Sequence, residues 1–364
     1  MCYDFTIMES LTDKPDSPRA PWQVVLAEAI GEPAELCRLL ELPAAMAVTA
    51  RKAMADFPLL VPRPYLSRIQ PGDPENPLLL QVLPQEQEQT LVPQFTADPL
   101  GEVDAPCGPG LLRKYHGRLL ILTSGSCCVH CRFCFRRHFP YPTMAAGKGV
   151  RSNLPVGPEG ASHKSDLTPF PWEPAIRQVI ADPSIHEVIL SGGDPLMLDD
   201  RRLAQLAWRL AEIPHLVRLR VHTRLPVMIP QRVTDELIVW LRGTRLVPIL
   251  VNHINHPAEI DDAVAEALGR LVDAGIVVLN QAVLLRHVND RVEVLAELCR
   301  RLVDLRVLPY YLHQLDRVAG AAHFEVPHAE GLRLVRQLRG LLPGYAVPRY
   351  VCETPGGASK ELLG

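Results

Sequence analysis

Beginning at Arg118, short apolar runs rich in β-formers alternate with stretches whose apolar residues recur at helical spacing. The runs span 119–123, 187–191, 216–222, 246–253, 276–285 and 307–315, each bounded by turn-formers, and they predict six strands. Between them, 172–181, 201–213, 234–242, 262–274 and 292–305 read as helices. In the second of these, Leu203, Leu206, Ala207 and Leu210 share one face. In the fourth, Val264, Leu268, Leu271 and Val272 do, with Asp261 or Asp262 placed to cap the start and Gly275 the end. Each such helix has one face to bury. Strict alternation of strand and helix therefore predicts an α/β fold, a parallel sheet curled into a partial (βα)6 barrel whose reactive groups collect at the C-terminal strand ends.

Two regions break the rhythm. Residues 1–105 carry helical patterns at 24–30 and 33–42, then a proline-punctuated stretch over 58–106, and are expected to form a helical N-terminal region wrapped on the barrel unit, 106–320. Within that unit, 143–170 is poor in large apolar residues and rich in turn-formers, which predicts a flexible loop. Residues 321–364 remain as a C-terminal helix and a short glycine-rich segment.

The 364 residues suffice for a large domain with an appendage, and no apolar run approaches the roughly 20 residues of a membrane span. A net charge of -3 argues against a nucleic-acid binder. One local basic cluster, Arg132, Arg136, Arg137 and His138, is expected to serve as an anion site. Nine cysteines, an odd and mostly scattered set with no secretory signal ahead of them, imply a reducing compartment and a cytoplasmic enzyme.

Three of those cysteines carry the chemistry. Cys127, Cys131 and Cys134 form a CxxxCxxC run directly after the first predicted barrel strand. Structural zinc prefers four closed ligands, and the nearby extras, Cys128 and His130, sit beside Cys127 and Cys131 where simultaneous ligation is awkward. The run of a two-cluster ferredoxin is absent. A [4Fe-4S] cube on three thiolates keeps one iron open to a further ligand, which points to reactivity rather than support. After the second strand, Ser191-Gly192-Gly193-Asp194 offers backbone without side chains and a carboxylate, suited to gripping the amino group of a ligand on that iron. Near the end, Thr354-Pro355-Gly356-Gly357-Ala358-Ser359-Lys360 sets an amine behind a flexible glycine-rich loop, and a lysine can form a Schiff base with pyridoxal phosphate.

Together, CxxxCxxC and the Gly-Gly-Asp strand end resemble the radical S-adenosylmethionine superfamily. Adding Cys131-Arg132-Phe133-Cys134-Phe135-Arg136-Arg137, Ser191 to Leu196 and Pro-Gly-Gly-x-x-Lys, the chain resembles the lysine 2,3-aminomutase family over about 58–360. The resemblance implies a radical-SAM partial barrel with a [4Fe-4S] cluster on Cys127, Cys131 and Cys134, S-adenosyl-L-methionine near Ser191, Gly192, Gly193 and Asp194, and pyridoxal 5'-phosphate on Lys360. By motif, Tyr115 and Arg118 fall in the stretch that holds the cofactor phosphate and Gln281 lies near both cofactors. Arg136 would pair with the substrate α-carboxylate, and Asp316 and Glu353 with the ε-ammonium of lysine.

Several departures resemble a narrower branch, the one that makes (R)-β-lysine for elongation factor P. His313 stands where free-lysine enzymes carry tyrosine, Asp290-Arg291 lacks a cysteine, and only four residues follow Lys360, without a zinc-binding tail. The implied reaction converts (S)-α-lysine to (R)-β-lysine through a 5'-deoxyadenosyl radical and an aldimine of pyridoxal phosphate, fed by an external electron donor. Its implied partners are elongation factor P and its lysyl ligase, with homo-oligomerisation left open. A free-lysine aminomutase and a radical S-adenosylmethionine enzyme without pyridoxal phosphate are the alternatives.

Overall fold

Each apolar run becomes a strand because its neighbours cover both of its faces, as parallel sheets require. The structure, a computed structural model, describes residues 20–54, 57–103, 106–108, 110–141 and 172–364. The loop expected at 143–170 lies outside the described residues. Ten strands join one sheet in chain order: β1 (Pro106–Gly108), β2 (Leu111–Leu112), β3 (Arg118–Ser124), β4 (Glu187–Gly192), β5 (Arg218–Thr223), β6 (Val247–His253), β7 (Val277–Val283), β8 (Leu308–His313), β9 (Arg349–Cys352) and β10 (Glu361–Leu362). β3 to β9 run parallel, while β1, β2 and β10 add antiparallel edges. The six expected strands are β3 to β8. The four flanking ones are two to four residues long, too short for periodicity to reveal.

Helices Trp172–Ala181, Asp200–Ala211, Asp235–Arg242, Asp262–Asp273 and Val292–Asp304 connect the parallel strands and bury the faces their spacing predicted. Asp261 is the cap of the fourth, accepting from Val264 N at 2.9 Å, and Gly275 follows that helix at φ 77°. Ahead of the barrel, the helices Pro21–Ala27, Pro33–Leu39 and Ala44–Ala53 pack into the same apolar core as the strands. No helix among the described residues is long and apolar enough to cross a membrane.

The C-terminal segment is delivered to the barrel by packing. Helix His328–Leu341 presents Gly331 to Tyr350 of β9, and a Cβ there would lie 2.0 Å from the tyrosine oxygen. That close fit lays β9 beside β8, and β9 and β10 then form a hairpin in which Glu361 opposes Cys352. Across the next position outward, Glu353 and Lys360 face each other and form an ion pair. The expectation of a flexible glycine-rich loop needs correction. Gly357 N donates to Thr354 O at 3.0 Å with Gly356 at φ 72°, the form of a type II turn, for which Pro-Gly at its centre is well suited.

Candidate active site

Strand ends, the cysteine loop and the hairpin close around one cavity of about 350 Å³. Cys127, Cys131, Cys134, Tyr115, Arg118, Arg136, Ser191, Gly192, Gly193, Asp194, Gln281, Asp316, Glu353 and Lys360 all line it. Every site residue expected from the sequence thus reaches one space, including a lysine more than 200 residues from the cysteines.

The cysteine loop follows β3. Burial pushes two of its thiols up, Cys134 to about 11 and Cys127 well above its ordinary range, so cations must arrive before these two sulfurs ionise. Arg224, on the turn after β5, donates to Cys131 Sγ at 2.8 Å and is anchored by Glu259 at 2.8 Å and Gln81 at 2.7 Å. No three His, Cys, Asp or Glu side chains among the described residues gather tightly enough for a single metal ion. Three thiols spread along one cavity wall suit a cluster, in which each ligand meets a different iron.

The basic cluster after the cysteines is not one anion site. Arg132 and Arg137 turn away, both paired with Glu88 of the N-terminal region at 2.5 and 2.7 Å. His138 bonds to Ala319 O. Only Arg136 enters the cavity, where Glu102 takes its Nε at 2.6 Å and its Nη2 at 3.0 Å, while its Nη1 faces Ser191 Oγ at 3.1 Å. Against burial, Arg136 and Lys114 hold Glu102 down at about 2.

Gly192 and Gly193 have a packing reason of their own: a Cβ on them would lie 2.3 Å from Ser124 O and 2.2 Å from Ser126 O. They let β4 press against the start of the cysteine loop. Asp194, expected to greet a ligand, is occupied internally. Its carboxylate accepts from Leu196 N, Thr223 Oγ1, Arg224 N and Leu225 N, tying β4 to β5.

Along the cavity lining, starting two residues past Cys134, charge alternates: Arg136, Glu102, Lys114, Glu353, Lys360. Lys114 Nζ lies 3.1 Å from Glu102 and 2.5 Å from Glu353, whose other oxygen holds Lys360. Asp316 has no hydrogen-bond or ion-pair partner for its carboxylate among the described residues, and burial raises it to about 6. Burial likewise pulls Lys360 down to about 7.

Sequence reasoning missed Glu102, Lys114, Arg220, His222 and Arg224. A signal existed for two of these: Arg220 and His222 alternate with Leu219 and Val221 in a strand that should be apolar on both faces. Arg220 Nε, His222 Nε2, Arg224 Nε and His313 Nε2 are buried in the cavity wall without hydrogen-bond partners among the described residues. Six cations line the cavity, Lys114, Arg118, Arg136, Arg220, Arg224 and Lys360, of which Arg220 pairs with Glu187 and Arg224 with Glu259 behind the wall. The unpaired donors fit polar, anionic occupants such as a phosphate and carboxylates.

Fold and site together define a partial (βα)6 barrel with a three-cysteine loop at the C-terminal end of its first parallel strand. No protein-family model matches the chain. It is 43% identical over 346 residues to the L-lysine 2,3-aminomutase of Escherichia coli strain K12, covering 95% of each chain. Identity to the Haemophilus influenzae protein of that name is 42% over 344 residues, covering 94% of this chain and 95% of that one. For the Clostridium subterminale protein of that name it is 38% over 299 residues, covering 81% and 66%. The chain belongs to the L-lysine 2,3-aminomutase family. The solved structure of Streptococcus suis SuiB bound to S-adenosylmethionine overlaps 66% of this chain and 51% of its own at 15% identity and a TM-score of 0.46, too loose to carry an argument.

Proposed function

We propose that this protein is a lysine 2,3-aminomutase that converts (S)-α-lysine to (R)-β-lysine, using a [4Fe-4S] cluster, S-adenosyl-L-methionine and pyridoxal 5'-phosphate. The observation that carries this reading is that Lys360 and the three thiols line one cavity. Cys127, Cys131 and Cys134 would hold the cluster, Lys360 the pyridoxal phosphate, and Tyr115, Arg118 and Gln281 line the same cavity. When bound, these groups supply a carbon radical that removes a substrate hydrogen atom and a π system that lets nitrogen move to the adjacent carbon.

The chain's own residues select and hold the substrate. Arg136 presents a planar guanidinium whose Nε and Nη2 are held by Glu102 and whose Nη1 faces Ser191 Oγ and Gly192 O, so it meets the α-carboxylate of an amino acid by exchanging one of these contacts. Asp316, ionised at neutral pH and unpartnered, suits an arriving ε-ammonium. Glu353 is already engaged by two lysines, so it can share in ammonium binding only by releasing one. Fixing both ends of lysine orients its middle carbons, which is worth several kcal/mol of barrier. Phe133, Phe135, Leu112 and Ile189 line the same cavity and exclude water from the reacting centre.

We further propose that the product serves modification of elongation factor P. Support comes from His313 in Tyr310-Tyr311-Leu312-His313 and from Asp290-Arg291, which lacks a cysteine. Anaerobic incubation with lysine, S-adenosylmethionine, pyridoxal phosphate and reductant, followed by chiral analysis, is expected to yield (R)-β-lysine. Formation of 5'-deoxyadenosine without β-lysine would refute the aminomutase reading. Failure of the product to be taken up by the factor's lysyl ligase would refute the narrower one.

A further inference from the structure

Two amines share one carboxylate in this cavity. Glu353 Oε2 accepts from Lys114 Nζ at 2.5 Å and Oε1 from Lys360 Nζ, with the lysine side chains 21% and 18% exposed. Two ammonium ions on one half-dry carboxylate leave excess positive charge, and losing a proton from one amine relieves it. The two are not equivalent. Lys114 also has Glu102 at 3.1 Å as a second anionic partner, whereas among the described residues Lys360 has only its share of Glu353 as a bonded partner.

We infer that Lys114 is a positioning residue which, by holding its own charge against Glu102 and Glu353, keeps Lys360 in the uncharged, nucleophilic form. The inference rests on the reading of Lys360 as the lysine that carries pyridoxal phosphate. Other groups face Lys360 as well. Asp316, after β8, favours the ammonium, as does Glu102; Arg220 on β5 opposes it, acting with burial and Lys114. His222 and His313 are kept neutral by their own burial, and Tyr311 lies with its ring 5.7 Å from Nζ. Among these cations, Lys114 alone is bonded to the carboxylate that Lys360 uses.

The step served is ordinary condensation. The neutral nitrogen attacks the aldehyde carbon, a C=N bond forms as both nitrogen hydrogens leave, and the carbonyl oxygen departs with them as water. Nothing is oxidised or reduced.

The test uses the full chain with its cluster, stripped of pyridoxal phosphate and then exposed to it across a pH series. Borohydride trapping and peptide mass spectrometry read the adduct. Wild-type trapping at Lys360 is expected to be half-maximal near pH 7. In Lys114→Met the midpoint should rise by about one pH unit or more, so that trapping at pH 7 slows several-fold, while Lys114→Arg stays near wild type. An unchanged midpoint in folded Lys114→Met overturns the inference, as does an adduct on Lys114 instead of Lys360. Should Lys114→Met not fold, Lys114→Gln is judged by the same criterion. Wild-type uptake by Lys360→Ala would sink the cofactor reading itself, a result distinguishable from failure of the Lys114 arm alone.

Discussion

Arg136 and Arg137 are neighbours in the chain and belong to opposite kinds of charge network. Arg137 joins Arg132 on Glu88 in a closed knot: all three side chains are at most 4% exposed, and Phe57 stacks under both guanidinium groups. Arg136 joins Glu102 in an open chain that runs through Lys114 and Glu353 to Lys360, beside an Asp316 that has no partner. The closed network pins the cysteine loop to the N-terminal region. The open one leaves charge unspent in a cavity, which is what a site for charged ligands requires. A buried ion pair by itself therefore says little about function: Arg137 Nε in the closed knot is also buried without a partner among the described residues, and what separates the two networks is the cavity onto which the second one opens.

The largest effects should come from cutting each network's functional end. Lys360→Ala is expected to abolish β-lysine formation while leaving cluster iron at wild-type stoichiometry, and Cys131→Ala to lose that iron. Iron analysis and product assay on both variants separate the two roles; β-lysine at a normal rate in Lys360→Ala would remove that residue from the chemistry.

Next in size is the closed knot. Glu88→Gln strips two buried arginines of their shared carboxylate, which should cost about 3–5 kcal/mol of stability. Denaturant unfolding measures it. A loss under about 1 kcal/mol would mean that the knot is not the clamp argued here.

How far this contrast could be read in advance differs between its two halves. The cysteine run is contiguous, so its spacing alone announced it, and the strand alternation from Arg118 to Leu315 carried the barrel. Lys360 was legible through its motif. Glu88 and Glu102 were not: both sit in the proline-punctuated stretch, where no period marks a face, and each meets its arginine 34 to 49 residues away. The basic run after the cysteines misled for the same reason, since only tertiary contact decides which arginine a carboxylate claims. Gly192 and Gly193 were read as room for a ligand; they do line the cavity, and the space a Cβ would fill on each is taken by the backbone of Ser124 and Ser126.

Asp316→Asn probes the open network at its unpartnered member. Removing the charge should raise the KM for lysine about ten- to hundredfold, the loss of a charge-assisted hydrogen bond, with a smaller change in kcat. Glu353→Gln should do less to KM if its carboxylate serves Lys360 and Lys114 more than substrate. Steady-state kinetics on the pair decide it, and a larger KM effect for Glu353→Gln would reverse the two acids' roles.

The smallest effect needs no substitution at Asp316. Burial raises Asp316 to about 6, so its carboxylate is ionised at pH 7.5 and takes up a proton as pH falls through 6. Only the ionised form attracts the ε-ammonium, which stays protonated throughout. Lysine binding should therefore be fully present above that midpoint, weaken about twofold at pH 6, and weaken about tenfold for each further unit down. Arg136 contributes no such slope, because Glu102 raises it despite its burial and holds it charged across the range. Equilibrium binding of lysine from pH 5 to 8, measured in Lys360→Ala so that the change of charge on Lys360 near pH 7 does not add to the profile, tests the sign. Adding Asp316→Asn should flatten the profile, and a profile already flat without it would mean that Asp316 is not the group that meets the ammonium.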